Sequence, residues 1–182
     1  MTIQPAHASD VYSLKITLVD SEPEVWRQVL IPTLQISLGE LHPILQKAMG
    51  WQNTCSYQFQ IGLGPDKVVF AEGDLLSAAI AHPNRKPLYY AYDPKSGWLH
   101  RIDIGTSVST PEFEENMSLP VCIAGGAACP PENSGGVWGY DELLARLENT
   151  ADPDYIDLLD KYGDLDPDYF SLEEANNRLE SL

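Results

Sequence analysis

The sequence predicts an α+β fold: a mainly antiparallel sheet built from hairpins, one helix after the first hairpin, and a C-terminal cluster of short acidic helices. Three observations carry this reading. Apolar and polar residues alternate with period two in paired segments separated by short turn sequences, the pattern of half-buried hairpin strands. Between two such pairs lies one segment with an apolar stripe at helical spacing and a capping signature. The last quarter then changes character: residues 141–182 hold thirteen acidic and three basic side chains, most of the chain's net charge of −16.

Val11–Val19 is the first strand, with Tyr12, Leu14, Ile16 and Leu18 on one face and Ser13, Lys15 and Thr17 on the other. Asp20–Pro23 is a turn. Glu24–Ile31 returns, with Trp26, Gln28 and Leu30 facing one way and Val25, Arg27, Val29 and Ile31 the other. Ser37 and Glu40 form a capping box that opens a helix with Leu38, Leu41, Leu45 and Met49 in one stripe, closed by Gly50. Pro43 lies inside it and predicts an irregular first half, since proline removes a backbone donor. Tyr57, Phe59 and Ile61 mark a third strand and Lys67–Phe70 a short fourth. A short helix is expected within Gly73–Ala81, then a loop over His82–Pro87. Leu88–Tyr92 and Trp98–Ile104 form the second clear hairpin, with Trp98, His100, Ile102 and Ile104 on one face. Gly105–Met117 reads as a loop.

Residues 122–140 hold Cys122, Cys129, Pro130-Pro131, five glycines and one charge, Glu132. Flexible linkers are polar and repetitive. This stretch also carries Ile123, Val137, Trp138 and Tyr140, so it reads as an ordered loop clasping the strand-rich part to the helical part. Beyond it come Leu143, Leu144 and Leu147, then Asp152-Pro153 as a helix start with Tyr155, Ile156, Leu159 and Tyr162 inward. Ser171 and Glu174 form a second capping box before Leu172, Ala175, Leu179 and Leu182. The organisation is therefore a frayed N-terminus (1–10) and one domain (11–182), divided into a strand-rich part (11–121), a Gly/Pro loop (122–140) and an acidic helical tail (141–182).

Composition narrows function. A net charge of −16 and a pI near 4.3 repel nucleic-acid phosphates, so direct nucleic-acid binding is not expected. The same charge suits a basic protein partner docking on the acidic C-terminal helices. Three scattered cysteines make no disulfide framework, Met1–Asp10 is no signal peptide, and no apolar run reaches a membrane span. A cytoplasmic protein with reduced thiols is expected. No nucleophile elbow, Walker loop, GxGxxG or HExxH occurs, and no cofactor is expected.

Several motifs carry candidate chemistry. Asp93, His100 and Glu132 are acid–base or hard-cation candidates, but a histidine beside Trp98 and Ile102 also suits a core position. Cys122 and Cys129 are candidate metal ligands, with Cys55 and His100 as further donors. Their six-residue gap is wider than the usual zinc knuckle, and buried cysteine behaves as a small apolar residue. Trp26, Arg27, His42, Tyr92, Trp98, Trp138 and Tyr140 make up a candidate ligand-binding groove. Arg27 reads as a cation that stacks on an aromatic ring or pairs with a buried carboxylate such as Glu132.

Four motif groups together resemble the plasmid pRiA4b ORF-3-like protein family. They are Tyr12-x-Leu14 with Pro23-x-x-Trp26-Arg27; Leu38-x-x-Leu41-His42 with Met49-Gly50-Trp51; Tyr90-x-Tyr92-Asp93 with Trp98-x-His100-x-Ile102; and Pro120-x-Cys122 with Ala128-Cys129-Pro130-Pro131-Glu132, Gly135-Gly136 and Gly139-Tyr140. Their order and spacing cover about residues 11–180. The resemblance implies a compact α+β domain of plasmids, mobile elements and bacterial chromosomes, with no established reaction. The chain departs from the pattern at Pro94–Gly97, where relatives carry Phe, Gly and acidic residues, and at Cys55, where they often carry histidine. The reading favoured here is a non-enzymatic protein- or ligand-binding module with its groove near residues 93–100 and 122–140. The alternative is a metal-dependent or acid–base hydrolase using Asp93, His100 and Glu132.

Overall fold

The computed structural model describes residues 11–83, 86–105 and 118–182. The described residues form one antiparallel sheet of seven strands in the order β4-β3-β5-β6-β1-β2-β7. The strands are β1 (Tyr12–Leu18), β2 (Trp26–Ile31), β3 (Tyr57–Ile61), β4 (Val68–Phe70), β5 (Leu88–Tyr92), β6 (Trp98–Gly105) and β7 (Val121–Gly126). The helices are α1 (Leu38–Met49), α2 (Leu76–Ile80), α3 (Gly136–Glu148), α4 (Tyr155–Tyr162) and α5 (Leu172–Leu179). The two expected hairpins become β1–β2 and β5–β6, the third and fourth strands pair as β3–β4, and pairing of β3 with β5 and of β6 with β1 joins them into one sheet. No helix of the described residues is long and apolar enough to cross a membrane.

The core forms on the face that the alternation predicts. Leu14, Ile16 and Leu18 of β1 and Trp98, His100 and Ile102 of β6 are buried, and α1 buries Leu38, Leu41, Ile44, Leu45, Ala48 and Met49. Ser37 accepts from the Glu40 amide while its own amide donates to the Glu40 carboxylate, so the predicted capping box is complete. Gly50 ends α1 at φ 102°, a left-handed geometry that glycine adopts without strain. Contrary to the expected irregularity, α1 runs unbroken across Pro43. Pro43 lies in the second turn, where its missing donor frees one carbonyl near the helix start.

Three further expectations are corrected. Residues 122–140 are not one loop: they begin in β7, pass through a 3-10 turn at Glu132–Ser134 and end in the first turns of α3. The glycine-rich sequence hid β7, because Gly125 and Gly126 have no side chains to alternate. Helix α4 starts at Tyr155 with Asp154 at its cap, and Asp152 bonds the Asp154 amide from outside the helix. Ile156 and Leu159, expected inward, are exposed, and α4 has no buried residue. At Ser171 only half the capping box forms, because Glu174 accepts from the Tyr169 hydroxyl instead of the Ser171 amide. The expected frayed N-terminus and nearly all of the expected 105–117 loop lie outside the described residues.

Helix α5 closes one border of the sheet. The Asn176 side chain accepts from the Cys122 amide at 2.8 Å and donates to the Cys122 carbonyl at 3.0 Å. One side-chain amide thus satisfies the free backbone groups that edge strand β7 presents there.

Candidate binding cleft

The loop Trp51–Ser56 between α1 and β3 is the centre of the site, and two polar networks hold it. The first is a closed ring. The Asn53 backbone N–H donates to Gln46 Oε1 at 3.0 Å, which turns Gln46 Nε2 to donate to the Tyr90 hydroxyl at 2.8 Å. Tyr90 then gives its proton to His42 Nδ1 at 2.8 Å, and His42 Nε2–H closes the ring on Asn53 Oδ1 at 2.6 Å. The ring therefore requires a neutral His42. Burial holds the His42 pKa below its ordinary value, against the opposing pull of the Asn53 bond. His42 also stacks on Tyr57, ring centroids 3.6 Å apart. Asn53 pays for its place with a left-handed backbone, φ 57°, which asparagine tolerates better than most residues.

The second network joins this loop to residues 129–134. The Tyr92 hydroxyl accepts from the Thr54 and Cys55 amides at 2.9 and 3.2 Å and donates to Glu132 Oε1 at 2.5 Å. Burial and the bond to Glu132 push the Tyr92 pKa up. Trp51 Nε1 donates to the Pro130 carbonyl at 2.9 Å, and Trp98 Nε1 to the Glu132 carbonyl at 3.2 Å. Beside this fixed wall lies a cleft of about 340 Å³, lined by Trp51, Gln52, Pro131, Glu132 and Asn133 and closed opposite by Lys161 and Tyr162 of α4. A second hollow of about 380 Å³ shares Asn133, Lys161 and Tyr162 and continues between α3 and α4.

The sequence-predicted residues scatter around this cleft. Glu132 lines it, and Tyr92 and Trp98 brace it from behind. His42 belongs to the ring that fixes the Trp51 loop. Asp93 has φ 41° and accepts from Ser96 within the β5–β6 turn. His100 is fully buried, edge-on to Trp51, with Nδ1 on the Tyr90 carbonyl and Nε2 unbonded. Burial pushes its pKa down to about 4. Asp93, His100 and Glu132 thus make separate contacts, and no hydrogen bond among the described residues links any two of them.

Arg27 pairs with no carboxylate. Its guanidinium donates to the carbonyls of Ala48, Trp26, Gly126 and Ala127 and lies 4.4 Å from the Phe170 ring centroid. Of the two readings of Arg27, stacking on an aromatic ring is the observed one. Trp26 is half-buried under Lys15 Nζ, 4.9 Å from its ring centroid. Trp138 projects from α3 at 83% exposure, whereas Tyr140 is buried with its hydroxyl unbonded. Cys122 is buried, its thiol on the Ala124 carbonyl. Burial pushes the Cys129 thiol up to about 12 although Arg27 and Arg178 pull it down. Among the described residues no group of three or more His, Cys, Asp or Glu could hold a metal ion. Sequence reasoning missed Gln46, Asn53 and Lys161, since polar residues in a helix or loop give no pattern that says which strand they meet.

The profile of the plasmid pRiA4b ORF-3-like protein family matches residues 10–174. This chain belongs to that family. It is 33% identical over 169 residues to uncharacterized protein y4hQ of Sinorhizobium fredii (strain NBRC 101917 / NGR234), covering 88% of this chain and 84% of that one. Among solved structures it resembles MM3350 of Methanosarcina mazei Go1, a protein of unknown function. The TM-score is 0.73 at 27% identity, over 91% of this chain and 97% of that one.

Proposed function

We propose that the protein is a non-enzymatic binding module that seats an extended segment of a basic protein partner in the cleft beside Trp51 and Glu132. The observation that carries this reading is the asymmetry of the two walls. One wall is cross-linked by Trp51, Tyr92 and Trp98 to residues 130–132. The other is α4, a helix with no buried residue. A rigid wall lowers the ordering cost of binding, and a lightly held wall can adjust to different side chains. The adjoining hollow extends the cleft beyond one small molecule. Glu132, Glu142 and Asp157 on the walls outnumber Lys161 and Arg146, and Arg146 is paired with Asp152 and Asp154, so within a chain of net charge −16 the walls favour a cationic segment.

The hydrolase alternative has less support, because His100 is sealed in the core and Asp93 is engaged in its own turn. The test is selection of displayed random peptides on the wild-type protein and on Asn133→Trp, which fills the cleft. Wild type should enrich Lys/Arg-containing peptides whose binding is lost in the variant. Equal enrichment on both proteins, or enrichment on neither, would refute the reading.

A further inference from the structure

A third hollow, of about 190 Å³, lies where the end of α1 meets the start of α5. It shares Gly50 and Cys129 with the cleft, but its chemistry differs. Two arginines face it, in a chain with only eleven basic side chains against 27 acidic ones. Neither takes part in an ion pair among the described residues. Arg27 is 2% exposed, and a guanidinium buried without an anion is costly unless its donors are satisfied. Four of its N–H groups meet backbone carbonyls, which leaves one of the five that the group carries. Arg178 spends its Nε on the Lys47 carbonyl at 2.9 Å, and its four terminal N–H groups have no partner among the described residues.

Capping the end of α1 explains part of this pairing: Arg178 Nε and Arg27 Nε take the Lys47 and Ala48 carbonyls. It does not explain why the fork of Arg178 stays unpaired. Glu174 stands one turn earlier on α5, at the spacing at which Glu and Arg usually pair. Its carboxylate instead accepts from the Tyr169 hydroxyl at 2.8 Å. Gly50 adds to the opening, since even a Cβ built there would lie 3.5 Å from the Arg178 guanidinium carbon.

We infer that this hollow is an oxyanion site that takes a carboxylate or phosphate group, with the Arg178 fork as its main donor and Arg27 as a fixed charge beside it. Planar guanidinium groups match both anions through paired N–H donors. Burial lowers the Arg27 pKa, Cys129 and Cys122 oppose it, and the neighbouring Arg178 charge lowers it, a cost that an incoming anion relieves. The inference does not depend on the peptide cleft. It is compatible with poor nucleic-acid binding, because one local anion site differs from a basic surface that tracks a backbone.

Calorimetric titration of the full chain with inorganic phosphate and, separately, acetate tests it, with chloride holding ionic strength constant. Saturable binding of phosphate alone assigns a phosphorylated ligand, and saturable binding of acetate assigns a carboxylate. Arg178→Met should weaken binding about tenfold or more, the scale of one lost charge-assisted pair of contacts. Glu174→Gln, which removes the one acid on the wall while leaving both arginines, should tighten it severalfold. That second variant serves even if Arg178→Met folds poorly. No saturable binding of either anion, or binding that Glu174→Gln leaves unchanged, overturns the proposal.

Discussion

Replacing Tyr90 by phenylalanine keeps an aromatic ring in the core and removes one oxygen atom. That oxygen receives a hydrogen bond from Gln46 Nε2 and donates one to His42 Nδ1, each at 2.8 Å. Tyr90 is fully buried, and Gln46 and His42 are 2% and 4% exposed. The substitution therefore opens little cavity, but it strands a buried donor and a buried acceptor, each worth about 1–3 kcal/mol unsatisfied. The expected loss is about 2–6 kcal/mol, against about 1 kcal/mol for an ordinary hydrogen bond. Urea unfolding followed by tryptophan fluorescence measures it, provided the denaturant slope is unchanged. Adding Gln46→Met to Tyr90→Phe removes the stranded donor as well. The double variant should then be more stable than the sum of the single losses implies, since residues of one network do not act additively. A loss below about 1 kcal/mol for Tyr90→Phe, or strict additivity of the pair, would refute the closed ring.

Other expectations follow from single groups. His100 has its pKa depressed from 6.5 to about 4 in the folded chain, so the unfolded chain takes up the proton first on acidification. Its contribution is complete above pH 6.5 and is lost as pH falls toward 4, about 3 kcal/mol in all, with His42 acting in the same direction. Urea unfolding at pH 7 and pH 4 should show His100→Phe gaining about that much relative to wild type at the lower pH; parallel pH profiles would refute it. Gly136 has φ 79°, and a Cβ there would lie 1.9 Å from the Ser96 carbonyl oxygen. Gly136→Ala should therefore cost about 2 kcal/mol or more, read from the thermal midpoint, and a neutral effect would contradict this docking of α3 on the β5–β6 turn. With its thiol pushed up to about 12, Cys129 should resist iodoacetamide at pH 8 in the native protein and react in urea, as peptide mass mapping would show.

Much of the sheet was legible from alternation. Leu14, Ile16 and Leu18, and Trp98, His100 and Ile102, share the faces that the sequence pattern assigns. The failures have physical causes. Strand β7 ends in glycines, which carry no side-chain signal, and its pairing with β2 shifts register between Gln28 and Val29. The apolar stripe of α4 was visible, but amphipathicity does not say what covers a stripe, and Ile156 and Leu159 remain exposed. Glu132 stood out in the sequence as an acid–base candidate, but its hydrogen-bond partners Tyr92 and Thr54 come from 40 and 78 positions away. Asp93 and His100 looked like its companions because they are polar neighbours in a hairpin. Strand pairing instead places His100 opposite Tyr90 and beneath Trp51.

The amide of Asn176 against Cys122 has a consequence for the whole molecule. Helix α5 is held at two points, by this pair of bonds to β7 and by Arg178 on the end of α1. Lifting α5 would uncover the backbone of β7 in the same motion. Shedding this helix would leave the Cys122 amide and carbonyl without these partners, the kind of unpaired strand edge on which chains associate. Helix α5 in that sense covers a strand edge as well as packing on the core.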